Sequence, residues 1–208
     1  EHISWNVVGL FLGTLILAEL FMQSRMPAVI AEAVIRRTRT GTGAMIAICV
    51  ISSVLSILLE NVAVVLLVSP VALQLCRRLG TSPVRLLILI ALCSNLQGTA
   101  TLIGDPPSMI LAGHMHLSFN QFFVYRGRPS VFWIVQAGAL ASLIVVRWLL
   151  RRHREPVEPI AIEPPRAWTP SVLLAVFVLG LMTTHRFDPD FRWMAGVWAI
   201  GLAGVGLL

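Results

Sequence analysis

The chain contains no lysine and few acids: all 16 basic side chains among its 208 residues are Arg, against 10 Asp and Glu. Charged residues make up only 12%, about half the roughly 25% usual for soluble domains. So little charge excludes a disordered segment, and the Gly and Pro content lacks the period of a collagen-like chain. Three cysteines, Cys49, Cys76 and Cys93, share no CxxC or Cys/His spacing. That excludes a zinc site or a disulfide framework and leaves packed free thiols. Nucleophile-and-base pairs, phosphate-binding GKT loops and haem-attachment spacing are also missing. No basic n-region with a small-residue cleavage site marks a signal peptide. What is present is apolar: 57% of residues by the AVILMFWYC count and a mean hydropathy of +0.83. These values exclude an ordinary water-soluble enzyme and point to an all-α, polytopic membrane protein.

A spanning helix needs about 20 apolar residues. Helices are expected over 3–22, 84–113 and 131–150, with two more over 171–208. The segment 155–170, EPVEPIAIEPPRAWTP, is Pro-rich and acidic and reads as a cytoplasmic linker. The block 44–76 differs. Two apolar runs, each about 24 Å long as helix, flank Glu60-Asn61. They form either two short spans or a re-entrant hairpin, and their length favours the hairpin. Both alternatives return the chain to its side of entry. With helix 3–22 running inward, the loops around Arg25–Arg39, Arg77–Arg85 and Arg151–Arg166 lie inside, and Arg126, Arg128, Arg186 and Arg192 lie outside. Eleven Arg inside against four outside follows the positive-inside rule. The net charge of +6 thus reports topology, and no nucleic acid partner is expected.

Polar groups at membrane depth are costly and mark function by default. One cluster is Ser52, Ser53, Ser56, Glu60 and Asn61. The other is Ser94 to Ser108, SNLQGTATLIGDPPS, in which Gly98 and Gly104 loosen a helix and Pro106-Pro107 end it. Pro107 suits the first turn of a new half-helix. Broken helices of this kind build ion sites in transporters. Glu60 and Asp105 each precede a half-helix N-terminus, where a carboxylate either caps the helix or holds a cation or proton. Two acids there favour a cation, a proton-coupled substrate or a neutral one such as arsenous acid over a dianion. Other polar residues weigh less. His114 and His116 read as an interfacial loop, Asp188 and Asp190 as a solvated turn, Glu19 as interfacial, and the tryptophans as interface anchors.

At these residues a family resemblance emerges. SILLENVAVVLLVSPVALQLCRRLG followed by SNLQGTATLIGDPPSMILA resembles the ion transporter superfamily, in the branch with arsenite permeases, NhaD-type Na+/H+ antiporters and the melanosomal P protein. Citrate and dicarboxylate permeases are more distant relatives. Glu60-Asn61 match the family's (D/S)N pair at a hairpin tip, and Asn95 through Ser108 match its xNxGGTATxIGxPPN run. Glu60 stands where Asp is usual, Gln97 replaces the first Gly, and Ser108 replaces the last Asn. The resemblance spans roughly Ile3 to Leu150.

It implies a secondary ion transporter working by alternating access, in the inner or plasma membrane, and not an enzyme. Arsenite or Na+/H+ exchange comes ahead of coupled dicarboxylate or citrate uptake, and no cofactor beyond a coupling Na+ or H+ is expected. The implied ion- or substrate-binding residues are Ser56, Glu60, Asn61, Ser94, Asn95, Gly98, Thr99, Thr101, Gly104, Asp105, Pro106 and Pro107. Asn61, Asn95 and Thr99 are the candidate Na+ ligands. Partners would be the lipid bilayer, a small inorganic or organic ion and, for the full-length protein, a second copy. The family is built from two inverted repeats. Residues 1–154 correspond to the first, and 171–208 to the truncated start of the second. Glu1 in place of Met, and an apolar run still open at Leu208, lead to the expectation of a piece of a longer chain. Two other classes stay open. One is a half-transporter or regulatory half-protein needing a partner chain. The other is an intramembrane enzyme using Glu60 and Asp105 as an acid pair.

Overall fold

A computed structural model describes residues 4–38, 40–151, 167–184, 187–188 and 193–207. Nine α-helices lie among them: α1 Trp5–Gln23, α2 Met26–Arg36, α3 Gly41–Ser56, α4 Asn61–Arg78, α5 Val84–Gly98, α6 Pro106–Met115, α7 Val131–Leu150, α8 Thr169–Thr184 and α9 Met194–Leu207. The protein is an all-α, integral multi-pass membrane protein. By length and composition α1, α4 and α7 can each cross a bilayer.

The elements start and stop where local chemistry dictates. Thr40 caps α3 by accepting from the Gly43 N–H at 3.2 Å, Glu60 caps α4 through Ala63 N at 3.0 Å, and Asp105 caps α6 through Ser108 N at 3.0 Å. Pro106 and Pro107 occupy the first turn of α6, where missing N–H groups cost nothing. A short antiparallel ladder, Val124–Tyr125 with Arg128–Pro129, closes over Arg126 and Gly127. Both turn residues have positive φ, 50° and 75°, as a type I′ hairpin requires.

The helices form two groups that touch through α1. In the first, α1 runs parallel to α9, and α8 is antiparallel to both. Asn6 faces Gly196, Gly13 faces Ala199, and Leu20 meets Gly206. The small residues let the backbones approach closely, and Asn6 Oδ1 accepts from Gly196 N at 2.6 Å. The parallel α1–α9 pair is the relative direction that the Arg distribution requires. In the second group α3, α4, α5 and α7 pack together. Thr42 Oγ1 donates to the Leu150 carbonyl at 2.8 Å, so α3 begins at the end where α7 finishes.

Three sequence expectations are corrected. Residues 26–36 form helix α2, not a basic loop: Pro27, Ala31 and Ile35 recur every four residues and bury one face against α3 and α4. Asp188 is buried, not solvated, because its Oδ2 accepts from Trp193 N and Met194 N, both at 2.9 Å, at the start of α9. His114 belongs to α6 and not to a loop, although its side chain is exposed. Asp190, the linker over 155–166, and Arg39, Arg152, Arg154, Arg166, Arg186 and Arg192 lie outside the described residues.

Candidate functional site

Four helix ends converge. The α3–α4 turn, Ile57–Glu60, packs against the break between α5 and α6, Thr99–Asp105. Thr101, fully buried, donates its hydroxyl to the Ile57 carbonyl. A Cβ on Gly104 would overlap the Gly98 carbonyl and press on that of Ser56 at 2.8 Å, so only glycine permits this crossing. The carbonyl ends of α3 and α5 thus meet at Gly104, one residue before the buried Asp105 cap of α6.

A polar chain links the two sides. Ser94 Oγ donates to Ser56 Oγ at 3.0 Å and lies 3.3 Å from the Asn61 carbonyl. Ser56 Oγ donates to Asn61 Oδ1, and Asn61 Nδ2 donates to Asn95 Oδ1 at 3.1 Å. Ser56 and Ser94 are fully buried, whereas Asn95 is exposed on the outer surface of α5. Gly98 lies directly beneath Asn61, and a Cβ there would strike the amide. The motif glycine thus seats the asparagine from the neighbouring half-helix.

The two acids share a second feature. Glu60 and Asp105 line one small hollow with Phe11, Thr14 and Leu15 of α1, and with Pro106 at the α6 N-terminus. Its free volume of about 10 Å³ approaches that of one water-sized guest. Each carboxylate uses one oxygen as a helix cap: Glu60 Oε2 and Asp105 Oδ1. Asp105 is buried and Glu60 half-buried. Both carboxylates therefore cap a helix and also border a small, mostly apolar hollow.

The arrangement brings together most of the residues expected from the sequence. Ser56, Asn61, Ser94, Asn95 and Gly98 form the amide-hydroxyl chain; Thr101 and Gly104 close the crossing; Glu60, Asp105 and Pro106 border the hollow. Pro107 is exposed and shapes the helix start. Thr99 stands apart: its hydroxyl donates back to the Leu96 carbonyl at 2.9 Å. Among the described residues no hydrogen bond joins it to Asn61 or Asn95.

Two contributors escaped sequence reading. Thr14 lines the acid hollow from α1 while its hydroxyl donates to the Phe11 carbonyl at 2.9 Å, and its only sequence signal is a lone hydroxyl in an apolar helix. Gln136 on α7 exchanges two amide hydrogen bonds with Gln97, at 3.1 and 3.0 Å. The Gln97 side chain is thereby drawn sideways to α7 instead of into the helix break. An amide six residues into an otherwise apolar run was the available signal for Gln136.

Comparison with known proteins gives the family. The citrate transporter family model matches residues 1–207. The chain belongs to the citrate transporter family. It is 33% identical over 149 residues to an uncharacterized transporter of Mycobacterium tuberculosis, covering 71% of this chain and 34% of that protein. It is 34% identical over 124 residues to a 46 kDa membrane protein of Mycobacterium leprae, covering 59% and 29%. To the human P protein it is 36% identical over 118 residues, covering 56% and 14%. The chain thus spans about a third of the length of the first of these relatives.

Proposed function

We propose that this member of the citrate transporter family supplies one half of a secondary active transporter whose flux is coupled to Na+ or H+. The observation that carries the reading is the pairing of Glu60 and Asp105 on one hollow at the meeting of half-helix ends. A carrier for a di- or trianion gains most from half-helix N-termini left open to its carboxylates. Here both N-termini already hold a carboxylate, which opposes a second anion and attracts a cation or a proton. The reading extends to Na+/H+ or arsenite exchange as the finer assignment.

The α3–α4 turn is read as a re-entrant tip. It lies level with Phe11–Leu15, the middle of α1. Gln97, at the same break, meets Gln136, and the first five residues of α7, 131–135, extend beyond that contact toward the far end, about 7–8 Å of helix. The amide chain from Ser94 to Asn95 lies beside the tip and is suited to a desolvated cation or an oxyanion, since amides and hydroxyls offer both donors and acceptors. That versatility sustains the second reading, a Na+- or H+-coupled citrate-like permease, which the family's description favours.

Proteoliposomes carrying the full-length protein discriminate the two. Na+ and pH gradients are imposed separately, with arsenite and citrate offered as substrates. The expectation is gradient-driven exchange that Glu60→Gln lowers about tenfold or more, the scale of losing a hydrogen-bonded charge. Citrate uptake that survives Glu60→Gln at the wild-type rate overturns the cation assignment.

A further inference from the structure

We propose that Cys49 and Cys93 form a redox-active pair, which a peroxide closes into a reversible disulfide between α3 and α5. Spacing along the chain hides the pair, since the two residues stand 44 positions apart. Packing brings them together. Ser53 Oγ donates to the Cys49 carbonyl at 3.0 Å and lies 3.5 Å from the Cys93 carbonyl. One hydroxyl thus bridges the backbones of both cysteines. Their thiols lie in hydrogen-bonding contact with each other, and the Ser53 hydroxyl is within the same reach of the Cys93 thiol. Small side chains on both helices, Ser53 and Ser56 on α3 and Ser94 on α5, allow so close an approach.

The chemistry favours oxidation over metal binding. Zinc takes four donors, and among the described residues no third Cys, His, Asp or Glu joins the two sulfurs. Two contacting thiols on separate helices are what a disulfide requires. Cys49 is fully buried and Cys93 is 6% exposed, so Cys93 meets the oxidant first. Its sulfur attacks one oxygen of the peroxide and the O–O bond breaks. The departing hydroxide takes the thiol proton and leaves as water, and Cys93 becomes a sulfenic acid. The Cys49 sulfur then attacks the Cys93 sulfur and the S–O bond breaks. The second hydroxide takes the Cys49 proton and leaves as a second water. The two thiols together give up two electrons, and the peroxide takes them. Thiol exchange with a small dithiol restores both cysteines, as suits a transient, sensing disulfide in a reducing compartment. Cys93 directly precedes Ser94, whose hydroxyl donates to Ser56. The new bond therefore fastens the hairpin to the broken helix at the foot of the polar chain. The third buried thiol, Cys76, lies beside Thr81 instead and serves as the internal reference.

Peptide mass spectrometry of the full-length protein tests this, after hydrogen peroxide treatment in membranes and blocking of remaining thiols with N-ethylmaleimide. A peptide pair joined through Cys49 and Cys93 is expected at peroxide doses that leave Cys76 as a blocked thiol. Dithiothreitol added before blocking should abolish the linkage. Cys49→Ser should leave Cys93 as a sulfenic acid that dimedone traps, and Cys93→Ser should leave Cys49 a free thiol. Recovery of both Cys49 and Cys93 as blocked thiols at doses that oxidise Cys76 would overturn the proposal, as would a linkage of either one to Cys76 in place of the pair.

Discussion

At the residue scale the site depends on positions where the absence or placement of a few atoms matters. Gly98 leaves room for the Asn61 amide, and Gly104 lets two carbonyls pass. Gly98→Ala should therefore displace Asn61 from Asn95 at a cost of about 1–3 kcal/mol from overpacking. Thermal unfolding in detergent will read that loss. Gly201→Ala is the control: nothing lies within 4 Å of an added Cβ there, so helix propensity alone acts and the change should be neutral or slightly stabilising. That Asn61 and Asn95, Gly98 and Gly104 belong to two polar interruptions was legible in the sequence because amides are rare in spanning segments and Pro106-Pro107 mark the break beside the glycines. The partnership of Gly98 with Asn61 was not, since the two lie 37 positions apart and meet only through packing.

At the element scale the informative units are helix halves. Their existence follows from the sequence: Glu60-Asn61 splits one apolar run, and Gly104 to Pro107 splits another. Their lengths shifted modestly on folding, with Ala44–Cys76 becoming Gly41–Ser56 and Asn61–Arg78. Val131–Leu150 is unchanged. Helix α2 was illegible because its flanking Arg residues hid a short i, i+4 apolar pattern that only α3 and α4 make worthwhile. Joining α5 to α7, the Gln97–Gln136 pair supplies a prediction at this scale. Either Gln97→Leu or Gln136→Leu alone strands an amide in apolar surroundings and should cost about 1–3 kcal/mol. The double variant Q97L/Q136L should recover most of that loss, because both polar groups are then gone. Denaturation of the four proteins in one detergent completes the cycle, and additive losses would contradict the pairing.

At the scale of the whole molecule, two packed groups meet at the acid hollow. Thr14 comes from the group of α1, α8 and α9, whereas Glu60 and Asp105 come from the hairpin and broken helix. The hollow therefore lies at the seam between the two groups. The first group is held by the parallel α1–α9 contact. Gly13→Leu should disrupt it, since even a Cβ at Gly13 comes within 2.5 Å of Ala199, lowering the unfolding temperature and exposing Asn6 to labelling after replacement by Cys. Gly204→Leu, facing open space, should leave both unchanged.

Composition and the spacing of polar residues by themselves determined that the chain spans a membrane and where its apolar runs break. Hydrocarbon tolerates so few unpaired polar groups that each exception becomes visible in one dimension. The tertiary structure decided which exceptions meet. It put Thr14 with Glu60 and Asp105, drew Gln97 aside to Gln136, buried Asp188 as a cap, and set α1 parallel to α9. Those pairings join residues from 5 to 190 positions apart. They are fixed by close packing of helix faces, and packing is a property of surfaces in contact that the order of residues along one strand does not express.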